Sequence, residues 1–200
     1  MTQRHPWSDD PVAAKTSTRP HQGGGANFCT HRLRIRGDRA FFRPTLLSHF
    51  FGCAFVTFGL MVLGMLSVGV FTDYEPLLGL LGLGALFAVP PIVIGARDLY
   101  GTWSPRMFDR TQGRFQYGRE RNANLRLTDL YALQIVYDVH TSTDSETGST
   151  TRFKSYELNA VRRDGTRVGV VDHGNGRKLR EDAARLGAFL RVPVWDTTKR

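Results

Sequence analysis

The sequence predicts a membrane helical hairpin followed by a soluble α+β domain, in which antiparallel strands are followed by a C-terminal amphipathic helix. Three observations carry this. Two long apolar runs without Asp, Glu, Lys or Arg, residues 46–71 and 77–96, stand almost back to back. Beyond residue 103 the apolar spacing drops to two, the period of a half-buried strand. One stripe of helical period then closes the chain, with Leu179, Ala183, Leu186 and Leu190 at i, i+4, i+7 and i+11.

Residues 1–43 read as a basic leader. Pro, Gly, Ser, Thr and charged residues dominate up to about residue 40, without apolar periodicity, and this predicts disorder. The apolar run that follows starts too late and is too long for a secretory signal. Arg32, Arg34, Arg36, Arg39 and Arg43 crowd the approach to the first run.

The hairpin is placed over 44–97, with spans at about 46–71 and 77–96. At ~1.5 Å per residue the first run reaches roughly 39 Å, enough for a ~30 Å hydrocarbon core with tilt. Thr72-Asp73-Tyr74-Glu75-Pro76 forms the turn. Arginines flank both outer ends and none lies in the turn, so both termini are expected in the cytoplasm and the protein in the cell inner membrane as a multi-pass protein. Gly84 and Ala88 allow close helix approach, and Pro90-Pro91 is expected to kink the second span. His49 is the one titratable group of interest inside a span. It lies about a turn from the cytoplasmic boundary without an acidic partner, which fits an interfacial side chain better than a transport site. Two helices without a polar stripe offer no pathway for a solute.

Net charge is +9. Residues 1–45 hold eight Lys/Arg against three Asp/Glu, and residues 97–200 hold nineteen against thirteen. The excess is spread along the cytoplasmic side, as suits an anionic leaflet, and no nucleic-acid partner is expected. Cys29 and Cys53 give no disulfide framework and no metal spacing.

The soluble domain is read over 103–200. Residues 106–109 and 114–117 form a hairpin turned by Gly113, and Leu133, Ile135, Tyr137 and Val139 alternate as a strand. His140 to Arg152 reads as an exposed polar loop. Phe153 to Arg162 and Arg167 to Val171 pair across Asp164-Gly165, a strong hairpin signal. Tyr156, Leu158 and Ala160 share the core face, leaving Glu157 and Asn159 pointing outward. The helix follows Asp172-His173-Gly174-Asn175-Gly176 and stops before Pro193.

This order, with Phe-Asp-x-x-x-Gly-x-Phe-x-Tyr at 108–117, Leu-x-x-Leu-Tyr-Ala-Leu-Gln-Ile-Val at 127–136, the 155–165 hairpin and the last helix, resembles bacterial membrane-attached pleckstrin-homology-like (PH-like) domains. The resemblance covers about 103–195. It implies a bent antiparallel sheet of seven strands capped by that helix, where five or six strands are countable, and a binding or scaffolding module that in some members contacts lipid headgroups.

No catalytic site is expected. Walker-type loops, Gly-x-Ser-x-Gly elbows and His-Glu-x-x-His are missing from the sequence. Asp138 and His140 share a strand face but lack a third ligand, so no metal and no cofactor are expected. The leading function is a non-catalytic membrane protein that displays a β-rich module to a protein partner or to a second copy of itself. The alternative is an anionic-lipid or small-anion sensor using Arg114, Arg119, Arg121, Arg177 and Lys178, the last two at the start of the final helix, whose free N–H groups attract anions. A transporter or enzyme component is the third reading.

Overall fold

The structure, a computed structural model, describes residues 7–21, 26–70, 77–118, 124–143 and 149–198. The chain forms two units, Met1–Arg43 with Pro105–Arg200, and Pro44–Ser104.

The leader is the first correction. Its described residues are folded, not disordered, and belong to the same unit as the C-terminal half. Helix α1 (Pro11–Lys15) starts at Asp10, whose carboxylate accepts the N–H groups of Val12 and Ala13 at 2.8 and 3.2 Å. Strands β1 (His31–Arg36) and β2 (Arg39–Pro44) follow. The run of arginines disguises an alternation of period two. Leu33, Ala40 and Phe42 are buried while the arginines between them face outward.

Strand β2 pairs antiparallel with β3 (Arg106–Asp109), aligning Arg39 with Asp109, Ala40 with Phe108 and Phe41 with Met107. The hairpin from β3 to β4 (Arg114–Tyr117) forms as the sequence predicts, with Gly113 at φ 62°, and β5 (Asn124–Arg126) completes a five-stranded sheet in the order β1-β2-β3-β4-β5. The rings of Phe108 and Phe115 stack in its core with centroids 4.0 Å apart.

The second sheet has the order β8-β7-β6-β9, from β6 (Leu130–Thr143), β7 (Thr150–Arg162), β8 (Arg167–His173) and β9 (Val194–Asp196). Its pairs are antiparallel except β6 with β9, which run parallel. The loop expected over 140–152 is mostly strand. The β6–β7 ladder continues to Thr143 opposite Thr150, where β-branched Thr residues suit extended pairing. Residues 144–148 of that loop lie outside the described residues. Helix α4 (Gly176–Leu190) buries Leu179, Ala183 and Leu186, the stripe read from the sequence. Both sheets and α4 enclose one core that includes Leu33, Phe42, Phe108, Phe115, Ile135, Leu158 and Leu186.

The other face of the second sheet gives the second correction. Glu157 and Asn159, expected to point into solvent, are 4% and 0% exposed. They do face away from the main core, but the leader lies across them. Trp7 packs on Trp195 with centroids 6.1 Å apart, and Val12 and Ala13 cover Ala132 and Val161. The Tyr131 hydroxyl donates to Asp10 Oδ2 at 3.0 Å, Gln134 Nε2 to the Ser17 carbonyl at 3.1 Å, and the His21 N–H to Glu157 Oε2 at 2.9 Å.

The second unit holds α2 (Leu46–Val70) and α3 (Leu77–Thr102), packed on each other. They meet through small residues. A Cβ built on Gly95 would stand 2.6 Å from the Gly52 carbonyl oxygen, and one on Gly59 equally close to that of Ala88. Helix α3 continues through Pro90 and Pro91. From Leu46 to Ser67, α2 is long and apolar enough to cross a membrane, with mean hydropathy 2.0 and only 11% of it buried. His49 Nδ1 accepts the indole N–H of Trp103 at 3.1 Å.

Candidate anion-binding basin

Of the five cationic residues singled out in the sequence, the three that are described do not form one site, Arg114 standing apart from Arg177 and Lys178. Arg119 and Arg121 lie outside the described residues. Arg114 is exposed on β4. Arg177 and Lys178 occupy the first turn of α4, whereas Arg110, a neighbour of Arg114 in the β3–β4 hairpin, lies over Phe189 in the last turn of that helix, roughly 18 Å further along. The α4 N-terminus is already occupied from within. Asn175 accepts the Lys178 N–H at 3.0 Å, His173 Nδ1 accepts the Asn175 N–H at 3.0 Å, and Lys178 Nζ pairs with Glu181 at 3.3 Å. The leader also closes over the preceding loop, where the Gly174 N–H donates to the Phe28 carbonyl at 2.8 Å.

What the structure does bring to Arg114 is Arg126, its register partner on β5. Arg126 stands at the rim of an open basin of about 480 Å³ lined by Leu125, Arg126, Asp129, Arg162, Arg163 and Asp164. Two tight turns build it. In the first, the Asp129 N–H donates to the Arg126 carbonyl at 3.0 Å. In the second, the Gly165 N–H donates to Arg162 at 3.0 Å, with Gly165 at φ 87°. The Arg163 N–H then donates to the Asp129 carbonyl at 3.1 Å and its Nε to the Thr128 carbonyl at 3.1 Å, tying one turn to the other.

Both carboxylates of the basin are engaged. Asp129 accepts Arg126 Nε at 3.0 Å. Asp164 accepts the Thr166 hydroxyl at 2.7 Å and N–H at 2.9 Å, and these bonds, helped by the charge of Arg162, hold its carboxyl below the usual range. Among the described residues, Arg162 and Arg163 form no ion pair within 4.0 Å; Arg163 rests on the Tyr131 ring at 5.9 Å. The sequence pointed to this place only as a hairpin signal at Asp164-Gly165; that the Arg-Arg pair before it lines one basin with Arg126 is a tertiary fact.

A second polar group lies on the covered face of the β6–β8 sheet. Asp138, His140, Ser155, Tyr156, Glu157, Asp172 and Pro20 line a cleft with room for about one water. His140 Nε2 stands 3.8 Å from Asp138, and its ring stacks on Phe153. Burial, then the neighbouring charge of Glu157, pushes the Asp172 carboxyl up to about 6, against the pull of Arg106. Among the described residues no group of three His, Cys, Asp or Glu is arranged to hold a metal ion.

Fold and site together define an α+β protein with antiparallel sheets and one candidate membrane-spanning helix. Comparisons with protein families, curated proteins and solved structures found no match.

Proposed function

We propose that this chain is a non-catalytic integral membrane protein whose α2–α3 hairpin, spanning at about 46–71 and 77–96, anchors a PH-like module on the cytoplasmic face of the inner membrane, where it binds a protein partner or a second copy. One observation carries the two-span reading: β2 ends at Pro44, β3 begins at Arg106, and the two strands are hydrogen-bonded neighbours. Strands paired in one sheet lie on one side of a bilayer, so the chain between them crosses an even number of times. If α2 crosses, α3 returns. Exposed Phe50, Met65, Leu86 and Phe87 supply an apolar surface that water would not tolerate and that acyl chains cover. The PH-like reading is supported by two antiparallel sheets and a late amphipathic helix. The chain departs from it in drawing two strands from before the helices and one, β9, from after α4.

Scaffolding is favoured over chemistry because several buried polar groups are spent on holding the fold: Asp109 on Arg39 and Gln112, Asp182 on Leu33, Gln134 on Ser17 and Arg167. Topology is tested in a Cys29→Ser, Cys53→Ser background. A membrane-impermeant maleimide should label Asp73→Cys in intact cells and Ser149→Cys only after lysis. Labelling of Ser149→Cys from outside sinks the reading. Crosslinking in the native membrane then asks whether the module holds a partner or itself. A protein that stays monomeric and alone would count against scaffolding.

A further inference from the structure

We infer that the basin between the 126–130 and 162–166 turns binds a phosphate group, free or on a monoester, through Arg162 and Arg163 with Arg126 at the rim. This reading is independent of how the helices cross the membrane. Three features single out the basin. Its volume, about 480 Å³, accommodates a phosphorylated small molecule or headgroup. Its walls are fixed, since Arg163 bonds both the Asp129 and the Thr128 carbonyls across the two turns. Its arginines outnumber its acids: Asp129 pairs with Arg126, and although the charge of Arg162 acts on Asp164, neither Arg162 nor Arg163 forms an ion pair within 4.0 Å among the described residues.

Two guanidinium forks match the oxygen pairs of a tetrahedral dianion, which a single carboxylate ligand would not satisfy. Asp129 and Asp164 repel an anion held near them, which confines it to the arginine side of the basin. Arg114, aligned with Arg126 on the adjacent strand, extends the positive field beyond the rim.

The test uses the full chain in zwitterionic detergent at low ionic strength, titrated with inorganic phosphate by calorimetry. Saturable binding is expected. Arg162→Gln should weaken it about tenfold or more, since it removes a charge-assisted contact and breaks no bond of the fold. Arg163→Lys keeps the charge but not the fork and should weaken it less, and Arg177→Gln should leave it unchanged. Nanodiscs separate the two sources of phosphate. Equal binding in phosphatidylcholine discs with and without phosphatidic acid identifies a soluble ligand, and weaker binding with phosphatidic acid identifies a lipid headgroup that competes for the basin. No binding of phosphate, or binding that Arg162→Gln and Arg163→Lys leave untouched, overturns the proposal. Equal weakening by Arg177→Gln does so too, because the effect would then be one of net charge.

Discussion

At the scale of single residues, Asp172 has the most telling environment. Its folded carboxyl titrates near 6 and its unfolded one near 3.8, so the folded state holds the proton more tightly. Stability from this group is therefore gained as pH falls from 7 towards 4, and is withheld above 6. His173 works in the opposite sense: burial lowers its value, so folding is penalised as pH falls below about 6.5. The two are separated by Asp172→Asn. Relative to wild type, the variant should be more stable by about 1–2 kcal/mol at pH 7.5, discounted for partial exposure, with the difference vanishing near pH 4 in denaturant titrations. Phe115 is simpler. It is fully buried and stacked on Phe108, so Phe115→Ala should cost about 3–5 kcal/mol in the same measurement. Asn159 is the unusual residue, 0% exposed with neither amide atom hydrogen-bonded among the described residues. No alternation pattern could reveal it as buried, because the cover comes from a segment some 140 residues earlier.

At the scale of elements, what was legible had its own local code. The β3–β4 hairpin carried a glycine at the one position with φ 62°, and α4 carried an unbroken stripe. Gly113→Ala should cost about 1 kcal/mol through that left-handed conformation alone, seen as a lower Tm with unchanged strand content. Loss of the α4 cap in Asn175→Ala should cost about as much. The leader was illegible for two reasons. In β1 and β2 the apolar positions alternate with arginines, and near a membrane helix those arginines read as a topology signal. Residues 7–21 have no period at all and are held by Trp7 and isolated hydrogen bonds. Deleting residues 1–21 should leave the main core intact and expose Trp195, giving a red-shifted fluorescence and a Tm lower by several degrees. The basin was hidden similarly, since Arg126 and the Arg162–Arg163 pair come from turns that only the fold joins.

At the scale of the whole molecule, the α+β unit is discontinuous: the boundary expected at 103 lies beside the one at Ser104–Pro105, but β1 and β2 from before the helices belong to the same sheet as β3. A fragment 103–200 lacks β1, β2 and the cover of the second sheet, so it should aggregate or remain unfolded by circular dichroism. Conversely, the register that aligns Phe41 with Met107 continues towards Arg43 and Pro105. Replacing residues 44–104 by Asn-Gly should convert β2 and β3 into an ordinary hairpin and release a folded, soluble protein. Failure of that design, with the full chain folded in detergent, would mean that the helices do more than tether.

Pairing β2 with β3 also sets a timetable for biosynthesis. When β2 leaves the ribosome its neighbour β3 is some sixty residues from being made, and both apolar helices must emerge in between. For that interval β1 and β2 present an open edge carrying Ala40 and Phe42, the kind of surface that recruits other nascent strands. Completion of the first sheet thus waits on synthesis of both helices. A ribosome that stalls between the helices leaves a product with an unclosed edge, a ready substrate for chaperones and proteases.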